Sequence, residues 1–163
     1  MIPSEKPEFP PLLQVGLHQM TLEELRKLCV GRFPHSTIRE EIMIGLEKTI
    51  GELEQSGIEG DLWIDGSFLT ECVNPADVDV VLRISSDFHQ RATAEQNEKL
   101  KWFDSTAPKK KYRCDSYKWV DYPEGHQLYW ESEWDRAYWI RQYGWTRDLD
   151  YKGIAVVRVG GGK

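Results

Sequence analysis

Between Leu62 and Ile84 the chain reads Leu-Trp-Ile-Asp-Gly-Ser-Phe-Leu-Thr-Glu-Cys-Val-Asn-Pro-Ala-Asp-Val-Asp-Val-Val-Leu-Arg-Ile, and this stretch restricts the fold more than any other. Leu62–Ile64 and Val78–Leu82 are short apolar runs rich in β-branched and large side chains, parted by the turn-forming residues Gly66, Asn74 and Pro75. They predict strand, turn, connection, strand. Successive strand side chains point to opposite faces, so Asp77 and Asp79 share one face while Val78 and Val80 take the other. Two like charges are thereby held side by side at the head of an apolar strand. Their repulsion is relieved by a shared proton or by a cation between them. Mg²⁺ meets that need, since it takes oxygen ligands in near-octahedral geometry, usually one or two carboxylates plus the phosphates of a substrate. Gly66 followed by Ser67 ends the first strand with a permissive backbone and a small hydroxyl, which lets a phosphate come close. One site then accommodates a nucleotide and its metal.

Composition narrows the setting. A chain of 163 residues suffices for one domain with a real core and is short for two. The net charge of −6 argues against a broad electrostatic footprint on nucleic acid, leaving room for a local basic patch. Cys29, Cys72 and Cys114 form no Cys-x-x-Cys pair and are odd in number, which points to a reducing, cytoplasmic location. No apolar stretch approaches the roughly 20 residues of a membrane span, and the start lacks the charged and apolar regions of a signal peptide, so no membrane association is expected.

Along the chain, residues 1–16 carry Pro3, Pro7, Pro10 and Pro11 and are expected to be an extended arm outside the core, packing through Phe9, Leu12 and Leu13. Residues 17–159 form the expected domain. Thr21-Leu-Glu-Glu24 fits a capping box for a short helix to about Cys29. Ser36 is placed to cap a second helix whose Ile38, Ile42, Leu46, Ile50 and Leu53 recur at helical spacing until Gly57. That helix is expected to cover one face of the sheet. Ala92–Lys101 favours helix by propensity. Lys109-Lys110-Lys111 precedes an alternating stretch, Tyr112–Val120, expected as a third strand with Arg113, Asp115 and Tyr117 on one face. A turn over Asp121–Gly125, a helix over Tyr129–Tyr143 closed by Gly144, a last strand over Ile154–Val159 and a loose tail at 160–163 complete the reading.

The order of strand, Gly66-Ser67 turn, connection, Asp77-Val78-Asp79 strand and later Asp-bearing strand resembles the nucleotidyltransferase fold of the DNA polymerase β superfamily. The resemblance is strongest to its small prokaryotic minimal nucleotidyltransferase-like proteins. The segments Lys152-Gly-Ile-Ala-Val-Val and Pro-Pro-Leu-Leu near the start look like a less studied prokaryotic branch of the same group. The resemblance implies a single α+β domain, a mixed β-sheet flanked by helices. It also implies that Gly66 and Ser67 bind the triphosphate, that Asp77 and Asp79 bind Mg²⁺ (or Mn²⁺), and that a third carboxylate on a following strand completes a two-metal site. Asp115 matches the third position best, with Asp65 and Asp121 in reserve, Asp65 being better suited to shaping its turn.

Each residue also has a plainer reading. Asp77 and Asp79 would serve as a solvated strand end after an Asn-Pro turn, and Asp115 as half of a surface ion pair with Arg113 or a lysine. Lys109, Lys110 and Lys111 are the expected phosphate contacts, ahead of Arg83 and comparable with Lys152, although such residues are commonly just solvated. His18, His35, His89 and His126 lack metal-ligand spacing and any nucleophile motif.

The expected function is transfer of a nucleotidyl group from an NTP, ATP among them, to an acceptor hydroxyl on RNA (a tRNA end), a protein or a small molecule, with release of pyrophosphate. The alternative is a nucleotide-binding regulatory partner with little chemistry, in a toxin–antitoxin or phage-defence pair. With a short stretch after Asp115, acceptor recognition is expected to need a protein partner or a second copy of the chain.

Overall fold

The computed structural model describes residues 7–161. Its strands are β1 (Gly16–Gln19), β2 (Gly60–Asp65), β3 (Val78–Ser85), β4 (Cys114–Asp121) and β5 (Gly153–Val159); its helices are α1 (Leu22–Arg26), α2 (Arg39–Gln55), α3 (Ser86–Arg91), α4 (Ala94–Phe103), α5 (Ala107–Tyr112) and α6 (Tyr129–Tyr143). The strands make one mixed sheet in the order β1-β5-β2-β3-β4. β2 runs antiparallel to β3 and β5, while β1 is parallel to β5 and β4 is parallel to β3. A parallel neighbour requires a crossover, and α3, α4 and α5 supply it between β3 and β4. The chain is a single α+β domain, as the sequence implied.

Strand alternation sorts the core. Leu62, Ile64, Val78, Val80, Leu82 and Ile84 face the helices and bury against Ile42, Met43, Leu46, Ile50 and Leu53 of α2. These are the apolar positions whose helical spacing predicted α2. The opposite face buries a smaller cluster of Trp63, Val81, Trp119, Ile154 and Val156, capped by Tyr143 and Trp139 of α6. That cluster fills the middle of its face and leaves both ends to charged groups.

Local chemistry explains the helix ends. The capping box at α1 is present, with Thr21 Oγ1 accepting from the Glu24 amide at 3.1 Å and Glu24 accepting from the Thr21 amide at 2.8 Å. Ser36 Oγ accepts from the Arg39 amide at 3.1 Å as α2 begins. The lysine run departs from expectation: Lys109, Lys110 and Lys111 lie in α5, because Pro108 suits a first helical turn. Arg113 then takes a left-handed φ of 59° and ends the helix, so β4 starts at Cys114 and not at Tyr112. Arg113 consequently leaves the face of Asp115 and Tyr117 and pairs with Glu41.

The arm also differs from its expected form. Gly16 opens β1, a strand that the sequence did not announce, and Pro11 bridges Thr70. The Leu12 amide donates to the Leu69 carbonyl and the Gly153 amide to the Leu13 carbonyl, so the segment is stitched to the loop after Ser67 and to β5. Leu12 and Leu13 pack on the core as expected. At the other end the Gly160 amide donates to Glu54. Residues 1–6 of the arm and 162–163 of the tail lie outside the described residues. Among the described residues no helix is long and apolar enough to cross a membrane.

Candidate functional site

Pairing register brings the carboxylates together. Asp65 on β2 stands opposite Asp79 on β3, and Asp79 stands opposite Asp115 on β4. Residues directly opposite on paired strands have Cβ atoms about 4.5–5.5 Å apart, so the three aspartates form a row across the end of the sheet, on the face that carries α6. Asp77, two residues before Asp79, reaches the same place. Asp77, Asp79 and Asp115 border a cleft of about 650 Å³ that Gly66, Ser67, Lys109, Tyr117, Tyr138 and Trp139 also line, while Asp65 is buried beneath it. Pro7, Glu8 and Phe9 of the arm stand at its edge, and Lys152 closes the wall beside β5.

Gly66 has a φ of 83°, in the left-handed region that favours glycine. A Cβ there would run into the Asp79 carboxylate. The missing side chain is therefore what lets the Gly66-Ser67 corner sit directly beside Asp79. Behind that corner, Arg39 is fully buried and spends its guanidinium on backbone carbonyls, those of Cys29, Phe68 and Thr70 at 2.7–2.8 Å. It lies over the Phe33 ring at 3.6 Å. The loop running from Ser67 toward Asp77 is thus clamped by one cation.

The electrostatics are those of a place short of positive charge. Burial, reinforced by Asp77 and Asp115, pushes the Asp79 carboxyl up to about 7. Burial pushes Asp65 up to about 8, against the pull of Lys152, whose Nζ lies 2.9 Å from Asp65 Oδ1. Neither Asp65 oxygen has a well-aligned hydrogen bond among the described residues. Burial also raises the Tyr143 phenol, with Asp79 and Asp65 adding to the rise. The Lys109 ammonium is drawn between Asp77 Oδ2 at 3.4 Å and Asp115 Oδ2 at 3.5 Å, and both carboxylates hold it above the usual lysine range.

Of the residues expected at the site, Gly66, Ser67, Asp77, Asp79, Asp115 and Lys109 meet at the cleft. Lys110 and Lys111 do not. Successive residues on a helix turn by about 100°, so only Lys109 of the run faces the carboxylates, and Lys111 points to Glu52 at 3.8 Å. Asp121, one reserve carboxylate, lies at the far end of the sheet, bonded to Arg83 and Arg136. Asp65, the other reserve, is a full member of the row. Sequence reasoning missed the aromatic wall of Tyr138, Trp139 and Tyr143, whose signal was the aromatic content of α6.

A hard divalent cation suits this donor set: carboxylate oxygens only, burial and then mutual repulsion that raise Asp79, and a glycine that keeps a side chain off the Asp79 carboxylate. As the side chains stand, no group of three or more His, Cys, Asp or Glu among the described residues encloses a metal position. The ammonium of Lys109 occupies the space between Asp77 and Asp115 instead. The model of one protein family, described as a family of unknown function (DUF6932), matches residues 7–158. No curated protein and no solved structure matches the chain.

Proposed function

The chain belongs to the DUF6932 family of unknown function, and we propose that it is a metal-dependent nucleotidyltransferase, moving an NMP from an NTP to an acceptor hydroxyl. The observation that carries this reading is the alignment of Asp79 with Asp115, Asp77 beside them, next to the Gly66-Ser67 corner in one cleft. Asp77, Asp79 and Asp115 would hold Mg²⁺ or Mn²⁺, which supplies charge stabilisation to the attacking and leaving oxygens of an in-line displacement.

The chain's own groups do the rest. Gly66 allows the backbone close to the triphosphate, and the Ser67 hydroxyl can donate to a phosphate oxygen. The acceptor oxygen attacks the α-phosphorus, the bond to the oxygen bridging α and β breaks, and pyrophosphate leaves. Asp115, the most exposed end of the row, is the base offered to the acceptor's proton. Tyr117, Tyr138 and Trp139 give ring faces on which a nucleobase can stack, a contact that tolerates any base. Localisation in the cytoplasm belongs to the same proposal, and the acceptor is an RNA, a protein or a small-molecule hydroxyl.

The test is incubation with each α-labelled NTP and Mg²⁺ or Mn²⁺, with RNA, protein and small-molecule acceptors offered separately. Label transferred by the wild type and lost in Asp77→Asn supports the enzyme. Nucleotide binding with no transfer to any acceptor contradicts it.

A further inference from the structure

A lysine stands where a dication would have to enter. Lys109 rises from α5 and places its Nζ between Asp77 and Asp115, at 3.4 and 3.5 Å, bridging the segment before β3 to β4. Its side chain is 49% exposed, so a flexible four-carbon stem holds the ammonium in place with little packing around it. Lys111 is committed to Glu52, and Lys152 to Asp65. Of the described lysines that line the cleft, Lys109 and Lys152, Lys109 is the exposed one.

We propose that Lys109 is a resident counter-ion that couples metal binding to phosphate binding. This rests on the metal–nucleotide reading of the cleft. A dication entering between Asp77 and Asp115 repels a neighbouring ammonium twice as strongly as a single charge would, so the ammonium must leave the carboxylates. Left in water, it gives up two ion pairs for nothing. With a triphosphate on the Gly66-Ser67 side of the same cleft, it gains phosphate oxygens within reach of its stem. Bare metal ions therefore bind the free protein weakly, and metal and triphosphate bind together. Linkage makes the coupling reciprocal: each ligand raises the other's affinity by the same factor.

The experiment uses the full chain, with Mn²⁺ followed by electron paramagnetic resonance and with inorganic tripolyphosphate as a probe that carries no base. Lys109→Met should bind bare Mn²⁺ about tenfold more tightly than the wild type, within the usual range of such couplings. It should bind the Mn²⁺–tripolyphosphate complex more weakly. Lys109→Arg, which keeps the charge, should stay near the wild type in both measurements. Opposite signs in the two titrations are the mark of a counter-ion, because a merely structural role would weaken both. Unchanged or weakened Mn²⁺ binding in Lys109→Met, while wild-type binding still depends on Asp77, overturns this inference alone. Failure of Mn²⁺ to bind either protein overturns both the inference and the nucleotidyl-transfer reading.

Discussion

The two ends of one sheet face carry charge in opposite ways. At the far end, Arg83 bonds Asp61 at 2.9 Å and also Asp121, Arg136 bonds Asp121 at 3.0 Å and Glu133 at 3.3 Å, and Arg158 lies 3.5 Å from Asp61. Acids and bases there are matched. At the near end Asp65, Asp77, Asp79 and Asp115 are met by Lys109 and Lys152. The same strands β2, β3 and β4 supply both ends, and the same aromatic cluster separates them. A balanced network holds a sheet together and asks for no ligand. Carboxylates that are both buried and crowded resist ionisation, Asp79 being raised first by burial and then by Asp77 and Asp115, and a cation relieves them. The difference is the ground on which the proposal puts binding at the near end.

The comparison is broken most forcefully by removing a carboxylate from the near end. Asp79→Asn should lower nucleotidyl transfer at least about 100-fold, since even outer partners of a metal cost 10–100-fold when lost. Initial rates with a labelled NTP measure it. The cradle comes next: Gly66→Ala forces a side chain into a left-handed backbone and against Asp79, so it should cost about 1–3 kcal/mol of stability and abolish nucleotide binding. Thermal melts and titration calorimetry read the two effects.

The third test is pH. Asp65 and Asp79 both titrate higher in the folded chain than in the unfolded chain, where carboxyls ionise near 3.8. The folded state therefore holds the extra protons, and the stability they contribute is complete below that value and is lost as pH rises through about 7 and 8. The metal-free melting temperature should fall between pH 5 and pH 8 by about 5 °C or more. Asp79→Asn should flatten that fall, and Mn²⁺ at pH 8 should reverse it by binding only the folded state. A flat profile would remove the argument that these carboxylates are buried and crowded. The smallest effect belongs to the other end: Arg83→Met leaves transfer unchanged and costs about 1 kcal/mol, because that arginine is a third exposed and solvent screens its loss.

Much of this layout is legible in the sequence. Periodicity placed α2, strand alternation put Asp77 and Asp79 on one side, and the Gly-Ser corner before an Asp-x-Asp strand located the cleft. What escaped is what depends on pairing. Alternation gives the face on which Asp65 lies, but only the register of β2 against β3 sets it opposite Asp79, and register is fixed by the whole hydrophobic pattern and its turns. The strand β1 is four residues long and owes its conformation to β5, a partner far along the chain. Alternation through Tyr112 makes the lysine run look like an approach to a strand, but Pro108 and the left-handed Arg113 put it in a helix. That change of element is why a single lysine, Lys109, reaches the carboxylates.

The most direct measurement is anomalous diffraction from crystals equilibrated with Mn²⁺ and a non-hydrolysable NTP analogue. The account predicts a manganese peak among Asp77, Asp79 and Asp115, phosphates against Gly66 and Ser67, and the Lys109 ammonium moved onto phosphate oxygens. A peak at the Asp61–Asp121 end, or a nucleotide bound elsewhere with Lys109 still between Asp77 and Asp115, would contradict it.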